Sequence, residues 1–243
     1  TLPMRPAERI GDEVVVNISS AQLCPVSGTC ISELALRVVS TAPRVFTIEN
    51  LLTEDEAKAI VAQGMGQIAP STVYSKGTDA ELLVADKTSR TSSNTWLPRN
   101  SSAVVDRVYR RAACVLGVTE DELQDNPDSG GTYRAEALQL VHYAVGQKYD
   151  AHYDWSISQP NTRFATLLIY LNQPRDGGQT AFPRAKTDEP LALHNGVGGG
   201  VLFYNGLPDG NVDDDSLHAA LPVIEGEKWM VNLWVWDPER GSL

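Results

Sequence analysis

The stretch KYDAHYDW, residues 148–155, sets a histidine and an aspartate two apart among aromatic and apolar neighbours. Residues two apart on a strand project from the same face, so His152 and Asp154 would be held towards one object. The same pattern suits an ordinary polar pair on a strand with one wet face. The choice between the two depends on what the remaining sequence brings to complete the pair.

From about residue 132 the chain is a series of short, apolar-alternating runs. ALQLVHYAV, FATLLIYLN, GQTAFP, PLALHNG, GGGVLFYN, SLHAALPVI and KWMVNLWVW are separated by Gly, Pro, Asn and Asp. Many short strands at this rhythm predict a sandwich, barrel or jelly roll. Upstream the texture differs. Residues 1–43 read as irregular or short extended pieces, with EVVVNIS and LALRVVS as strands, and RVFTIENLL (44–52) as a strand leading into a helix. Thr53 and Glu56 form a capping box before AKAIVAQGM. A second helix begins near Ser101, where Val104, Val105, Val108, Ala112 and Val115 recur at helical spacing. Thr119 and Glu122 repeat the capping pattern before a short third helix, and residues 70–90 predict an exposed hairpin or loop. No internal repeat or linker interrupts the chain, so residues 1–43 are expected to be an extension within the same unit as residues 44–243.

The 243 residues suffice for a sizeable core, and 42% hydrophobic with 21% charged is an ordinary globular balance. A formal net charge of -11 argues against a nucleic-acid backbone as partner and suits a neutral or basic polypeptide. No apolar run approaches the ~18 residues of a membrane-spanning helix. Cys24 and Cys30 bracket CPVSGTC, a short loop that a disulfide could close, although two unrelated thiols fit as well. With the sequons Asn17-Ile18-Ser19 and Asn100-Ser101-Ser102, this tilts the expected location towards the endoplasmic reticulum lumen or secretory pathway, the cytoplasm staying open. Oligomeric state is not legible here.

The completing residue lies far downstream, in SLHAALPVIEGEKW. His218 on a separate strand, with His152 and Asp154, makes two imidazoles and one carboxylate. That set suits a facial triad, which holds Fe(II) on three positions and leaves the others open. The other two of the four histidines, His142 and His194, have no such neighbours and read as structural or surface residues. GVGGG (196–200) lacks the following helix a phosphate cradle needs and reads as a turn. Asp209, Asn211 and Asp213 imitate a calcium loop, but Asp214 stands where Gly is required, so that run reads as a solvated loop.

YAVGQKYDAHYDW, RFATLLIYLN, GGQTAFP and PDGNVDDDSLHAALPVIEGEKWMVNLWVW occur in order, with SRTSSNTW upstream. Together they resemble the prolyl 4-hydroxylase family of Fe(II)/2-oxoglutarate dioxygenases over roughly residues 44–238. The resemblance implies an α+β fold whose core is a double-stranded β-helix (jelly-roll or cupin-like) buttressed by N-terminal helices. It implies that His152, Asp154 and His218 ligate iron and that Lys228 pairs with the distal carboxylate of 2-oxoglutarate. Tyr143 and Thr180 fall where the family places hydroxyl donors to that carboxylate, and Trp234 where it packs the same pocket. Arg163, Glu136, Gln139 and Tyr149 match positions lining the peptide groove.

One departure stands out. Eight residues after the lysine, relatives commonly carry a histidine, and this chain has Trp236, whose indole could stack on a proline ring or narrow the site. The implied reaction uses Fe(II), 2-oxoglutarate and O2, with ascorbate as reductant. It converts proline in an extended, polyproline-II-like peptide to 4-hydroxyproline with release of succinate and CO2. Residues 70–90 and WSISQPNT (155–162) are the expected lids. The rival readings are an oxygenase for another peptide residue or a free amino acid, and a non-catalytic jelly-roll binding module.

Overall fold

The run RFATLLIY, residues Arg163–Tyr170, is apolar on both sides of the strand it forms, because the strand is covered on both faces. Ala165, Leu167 and Ile169 pack towards one apolar cluster with the helices, and Leu168 and Tyr170 towards a second. In this computed structural model, which describes residues 1–18, 30–74, 83–84, 88–125, 133–155 and 163–237, that strand lies at the centre of a nine-stranded antiparallel sheet. The sheet order is Glu13–Asn17, Glu33–Thr41, Arg44–Ile48, Gly200–Tyr204, Arg163–Tyr170, Lys228–Trp236, Leu138–Tyr143, Ser93–Leu97 and Ala69–Pro70.

A four-stranded sheet, ordered Leu191–Leu193, Thr180–Phe182, His218–Ala220 and Tyr149–His152, contributes Phe182 and Ala220 to the second cluster. Between the layers lie Val141, Tyr143, Leu168, Tyr170, Phe203 and Met230. This is a jelly roll within an α+β fold, and the open space between its two sheets holds the site. The two N-terminal strand candidates are both strands: Glu13–Asn17 pairs with Glu33–Thr41, a nine-residue strand hydrogen-bonded to both neighbours in the large sheet. Its pattern of alternate burial, with Leu34, Leu36 and Val38 inward, is what its sequence alternation demands.

The other face of the large sheet carries helix α1 (Glu54–Gly64) and helix α2 (Ala103–Leu116). Gly64 lets α1 lie close, since a Cβ there would sit 2.5 Å from Leu140 Cδ2. Helix α2 starts at the Ser102 cap and ends at Gly117, whose φ of 76° is the left-handed geometry that glycine adopts without strain. The expected third helix is a single 3-10 turn, Glu120–Leu123, with the Thr119–Glu122 capping box in place. In GVGGG, a Cβ on Gly198 would lie 2.1 Å from Leu52 O, so this glycine lets the turn pass against the α1 approach. Cys30 is disulfide-bonded and Cys114 is a free thiol. Cys24 lies outside the described residues, as do most of WSISQPNT and much of 70–90.

Glu56 fastens the two helices. Its carboxylate caps α1 by accepting from Thr53 N–H, and accepts from Arg111 Nη1 at 2.6 Å, Arg111 Nη2 at 3.0 Å and Arg107 Nε at 2.8 Å. Burial alone would raise this carboxyl, but the Arg111 and Thr53 bonds outweigh it and hold it below its ordinary value. Arg111 is fully buried. Glu56→Ala leaves that guanidinium without its carboxylate, and urea unfolding is expected to show a loss of about 3–5 kcal/mol. A Glu56→Ala, Arg111→Met double variant is expected to recover much of it.

Candidate metal centre and co-substrate pocket

The first pair sits where the smaller sheet frays into a loop. His152 closes the strand Tyr149–His152 and lies in register opposite His218, the first residue of His218–Ala220, with ring centroids 4.3 Å apart. Asp154, two residues beyond His152, reaches the same point: ligand atoms of His152, Asp154 and His218 all lie within 4.8 Å of one another. His152 Nε2 is 3.7 Å from Asp154 Oδ1, and His218 Nε2 is 3.6 Å from Asp154 Oδ2.

The imidazoles are oriented from behind. His152 Nδ1 is 2.8 Å from Asp150 O, and His218 Nδ1 is 3.0 Å from Ser216 O. A carbonyl only accepts, so each Nδ1 carries the proton and each Nε2 lone pair faces the cluster. Burial, then the neighbouring His218, pushes the His152 imidazolium well below its usual range, which keeps that lone pair free. Burial would raise the Asp154 carboxyl, yet His218, His152 and Arg163 hold it ionised below the usual carboxylate range. Its Oδ2 accepts from Thr166 Oγ1 at 2.7 Å and from Trp234 Nε1 at 2.9 Å. Two neutral imidazoles and one oriented carboxylate fit a divalent first-row metal such as Fe(II).

The cluster opens into a cavity of about 520 Å³. Tyr143, Leu168, Thr180 and Met230 form its buried lining, whereas Trp96 is 44% exposed. Beside the buried end, Lys228 starts the strand Lys228–Trp236 in register with Tyr143. Its side chain is completely buried, and its Nζ has no hydrogen-bond partner among the described residues. Its nearest aromatic company is Tyr143 and Tyr170, each ring centroid 5.4 Å from Nζ. Burial pushes this ammonium down to about 7. An orphaned buried cation beside Tyr143 and Tyr170 is what the far carboxylate of a dicarboxylate such as 2-oxoglutarate would neutralise. Tyr170 O–H donates to Thr180 Oγ1 at 2.9 Å.

At the more open end, the structure gathers Arg90, Glu136, Gln139, Tyr149, Arg163, Trp234 and Trp236 around the cavity. Several of them are already engaged. The Gln139 side-chain oxygen accepts from Arg90 and from Asn232, and the Tyr149 ring stacks on His152 at 3.6 Å. Arg163 forms a two-bonded pair with Glu136, and Trp236 Nε1 donates to Glu136 at 2.9 Å. The Trp236 indole, expected to stack on a proline ring or to narrow the site, has its N–H taken by a carboxylate distant in sequence. Trp234, expected only to pack the co-substrate pocket, also bonds Asp154. His142 pairs with Glu227 at the surface, while His194 stacks on Tyr170 with both ring nitrogens buried.

Sequence reasoning missed Thr166, Tyr170, Arg90 and Trp96. Thr166 and Tyr170 were detectable as the hydroxyl-bearing residues of an otherwise apolar run, since a buried polar group demands a partner. Arg90 and Trp96 lie in or beside SRTSSNTW, a quoted motif from which no residue was taken.

The sequence matches the family model described as the 2OG-Fe(II) oxygenase superfamily over residues 138–236. It is 32% identical over 219 residues to prolyl 4-hydroxylase 5 of Arabidopsis thaliana, covering 82% of this chain and 70% of that protein. Against probable prolyl 4-hydroxylase 3 of the same plant the identity is 30%, over 82% of this chain and 71% of that one. Among solved structures, the viral collagen prolyl hydroxylase of Paramecium Bursaria Chlorella virus-1, in its 2OG complex, superposes with a TM-score of 0.59 at 25% identity. That match covers 79% of this chain and 95% of the viral one. A Trichoplax adhaerens prolyl hydroxylase, solved with a hypoxia inducible factor peptide fragment, shares the fold with a TM-score of 0.54 at 19% identity, over 81% of this chain and 84% of that one.

The orphaned lysine has a measurable cost. Because its folded value lies below the ordinary 10.5, the unfolded chain binds more protons between about pH 7 and 10.5, so stability without co-substrate rises with pH across that window. Lys228→Met is expected to remove this rise and to stabilise the ligand-free protein at neutral pH by on the order of a few kcal/mol. Urea titrations of both proteins at neutral and alkaline pH check this, and equal pH profiles would contradict it.

Proposed function

Because the chain belongs to the prolyl 4-hydroxylase family of 2OG-Fe(II) oxygenases, we propose that it hydroxylates peptidyl proline at C4. In this reading His152, Asp154 and His218 hold Fe(II), and Lys228, with the Thr180 and Tyr143 hydroxyls, holds the distal carboxylate of 2-oxoglutarate. The observation that carries it is the pairing of a three-ligand cluster with an unpartnered buried ammonium that lies against Tyr143, which lines the same cavity. When bound, iron with 2-oxoglutarate and O2 supplies the oxidising chemistry that turns a C–H bond into C–OH, with release of succinate and CO2.

The chain's own residues do the rest. Nδ1–H bonds to Asp150 O and Ser216 O keep the two imidazoles aimed. Leu168 and Met230 exclude water from the buried end, which strengthens the Lys228 contact. The exposed Trp96 and the amide-bearing Asn94, Gln139 and Asn232 offer a proline-rich chain an apolar step beside hydrogen-bonding groups. Such a peptide is already extended and loses little entropy on docking.

Ascorbate as the reductant that keeps iron in its ferrous state belongs to the same proposal. A secretory location is supported by the bonded Cys30 and by the exposure of Asn17 and Asn100, each the acceptor of a sequon. Among the described residues no helix is long and apolar enough to cross a membrane.

Incubating proline-rich peptides with the protein, Fe(II), 2-oxoglutarate and ascorbate is expected to add the mass of one oxygen atom to proline, with stoichiometric succinate. His218→Ala is expected to lose both signals while keeping the native circular dichroism, since the ligand lines a cavity. Succinate formed briskly with no oxygen on proline would move the assignment to another peptide residue or a free amino acid. Near-normal succinate from His218→Ala would remove the metal assignment.

A further inference from the structure

Glu136, Arg163 and Trp236 occupy groove positions where a substrate contact is the natural expectation, but their polar atoms face one another. Both Glu136 carboxylate oxygens are taken: Oε1 accepts from Arg163 Nε at 2.6 Å and from Trp236 Nε1 at 2.9 Å, and Oε2 from Arg163 Nη2 at 2.9 Å. The only side-chain donor of Trp236 is spent in this way, and Tyr133 closes on its ring edge-on at 5.1 Å. Glu136 is itself anchored, since Tyr109 O–H donates to its carbonyl at 2.7 Å. The charges of the group cancel internally.

Towards the metal cluster the group acts through Trp234 and through the charge of Arg163, which favours the ionised Asp154. The Arg163 guanidinium lies 3.7 Å from the Trp234 ring centroid, and Trp96 packs on the same indole at 5.9 Å. These contacts bracket the Trp234 indole, whose N–H donates to Asp154 Oδ2, the oxygen that Thr166 also bonds. Two donors on one carboxylate oxygen leave Oδ1 as the better free donor towards the ligand cluster.

We propose that Trp236, Glu136, Arg163 and Trp234 form a positioning chain that fixes Asp154 as a one-oxygen metal ligand. The proposal rests on the assignment of Asp154 to the metal site made above. In it the first three residues act through Trp234 rather than by contacting peptide, and the indole at 236 is a strut whose N–H holds the Glu136 carboxylate in place.

Co(II) binding to the full chain, followed by its visible spectrum with no peptide or 2-oxoglutarate present, tests this apart from turnover. Trp234→Phe keeps a ring but removes the N–H, and is expected to raise the Co(II) Kd about 10–100-fold and to change the spectrum. Trp236→Phe, which keeps a stacking face but removes one of the three bonds on the Glu136 carboxylate, is expected to raise it severalfold in the same direction. Arg163→Met, at a more exposed position, carries the test should Trp234→Phe fail to fold, and is expected to weaken Co(II) likewise. Wild-type Co(II) affinity and spectrum in the folded variants, with only the peptide KM raised, would overturn the proposal and return these residues to the groove. Absence of Co(II) binding by the unaltered protein would overturn it together with the metal assignment, and is distinguished by that control.

Discussion

A fully buried ammonium with no counter-charge is the constraint around which this molecule is arranged. Lys228 begins the strand Lys228–Trp236, between neighbours that fix its backbone, so the charge cannot escape to solvent. Tyr143 and Tyr170 give it only aromatic faces, and His194 close by contributes no negative charge. A protein retains so costly a group when something else completes it. In the proposed function a carboxylate arriving from the cavity completes it, its other end directed towards the His152, Asp154 and His218 cluster.

The jelly roll makes this arrangement rigid. Lys228 belongs to the large sheet and His218 to the small one, ten residues apart in sequence, so a single connection sets the spacing between cation and metal ligands. The helices on the far face contribute stiffness: Glu56 joins α1 to α2, and both press on the strands that carry the site. From the groove side, Glu136 and Arg163 brace Trp234 against Asp154. Catalytic geometry at a metal depends on such support as much as on the ligands.

The residues that carry charge into apolar surroundings were legible in the sequence. His152, Asp154 and His218 stand out at strand ends as two imidazoles and a carboxylate, Lys228 is picked out by the family resemblance, and the capping boxes at Thr53 and Thr119 announced helix starts locally. What stayed hidden depends on pairings distant in sequence. Trp236 meets Glu136 a hundred residues away, and nothing near either residue signals the bond. Thr166 and Tyr170 stand out as hydroxyls in an apolar run, but both faces of their strand are covered, so no period of two tells which layer each faces. The N-terminal candidates EVVVNIS and LALRVVS are both strands, but that Arg44–Ile48 joins them to the large sheet shows only in the pairing.

The most direct test of the role of Lys228 is a calorimetric titration of 2-oxoglutarate into the metal-loaded protein under anaerobic conditions, at about pH 8.5 in two buffers of different ionisation enthalpy. At that pH Lys228, pushed to about 7 by burial, is largely neutral until a carboxylate restores its charge. The groups around it stay silent, Tyr143 being pushed up to about 12 and His194 down to about 4, in each case first by burial. Binding is therefore expected to draw close to one proton from the buffer, with uptake halved near pH 7 and nearly absent by about pH 6. Tight binding with no proton uptake at alkaline pH, and equally tight binding by Lys228→Met, would contradict the account.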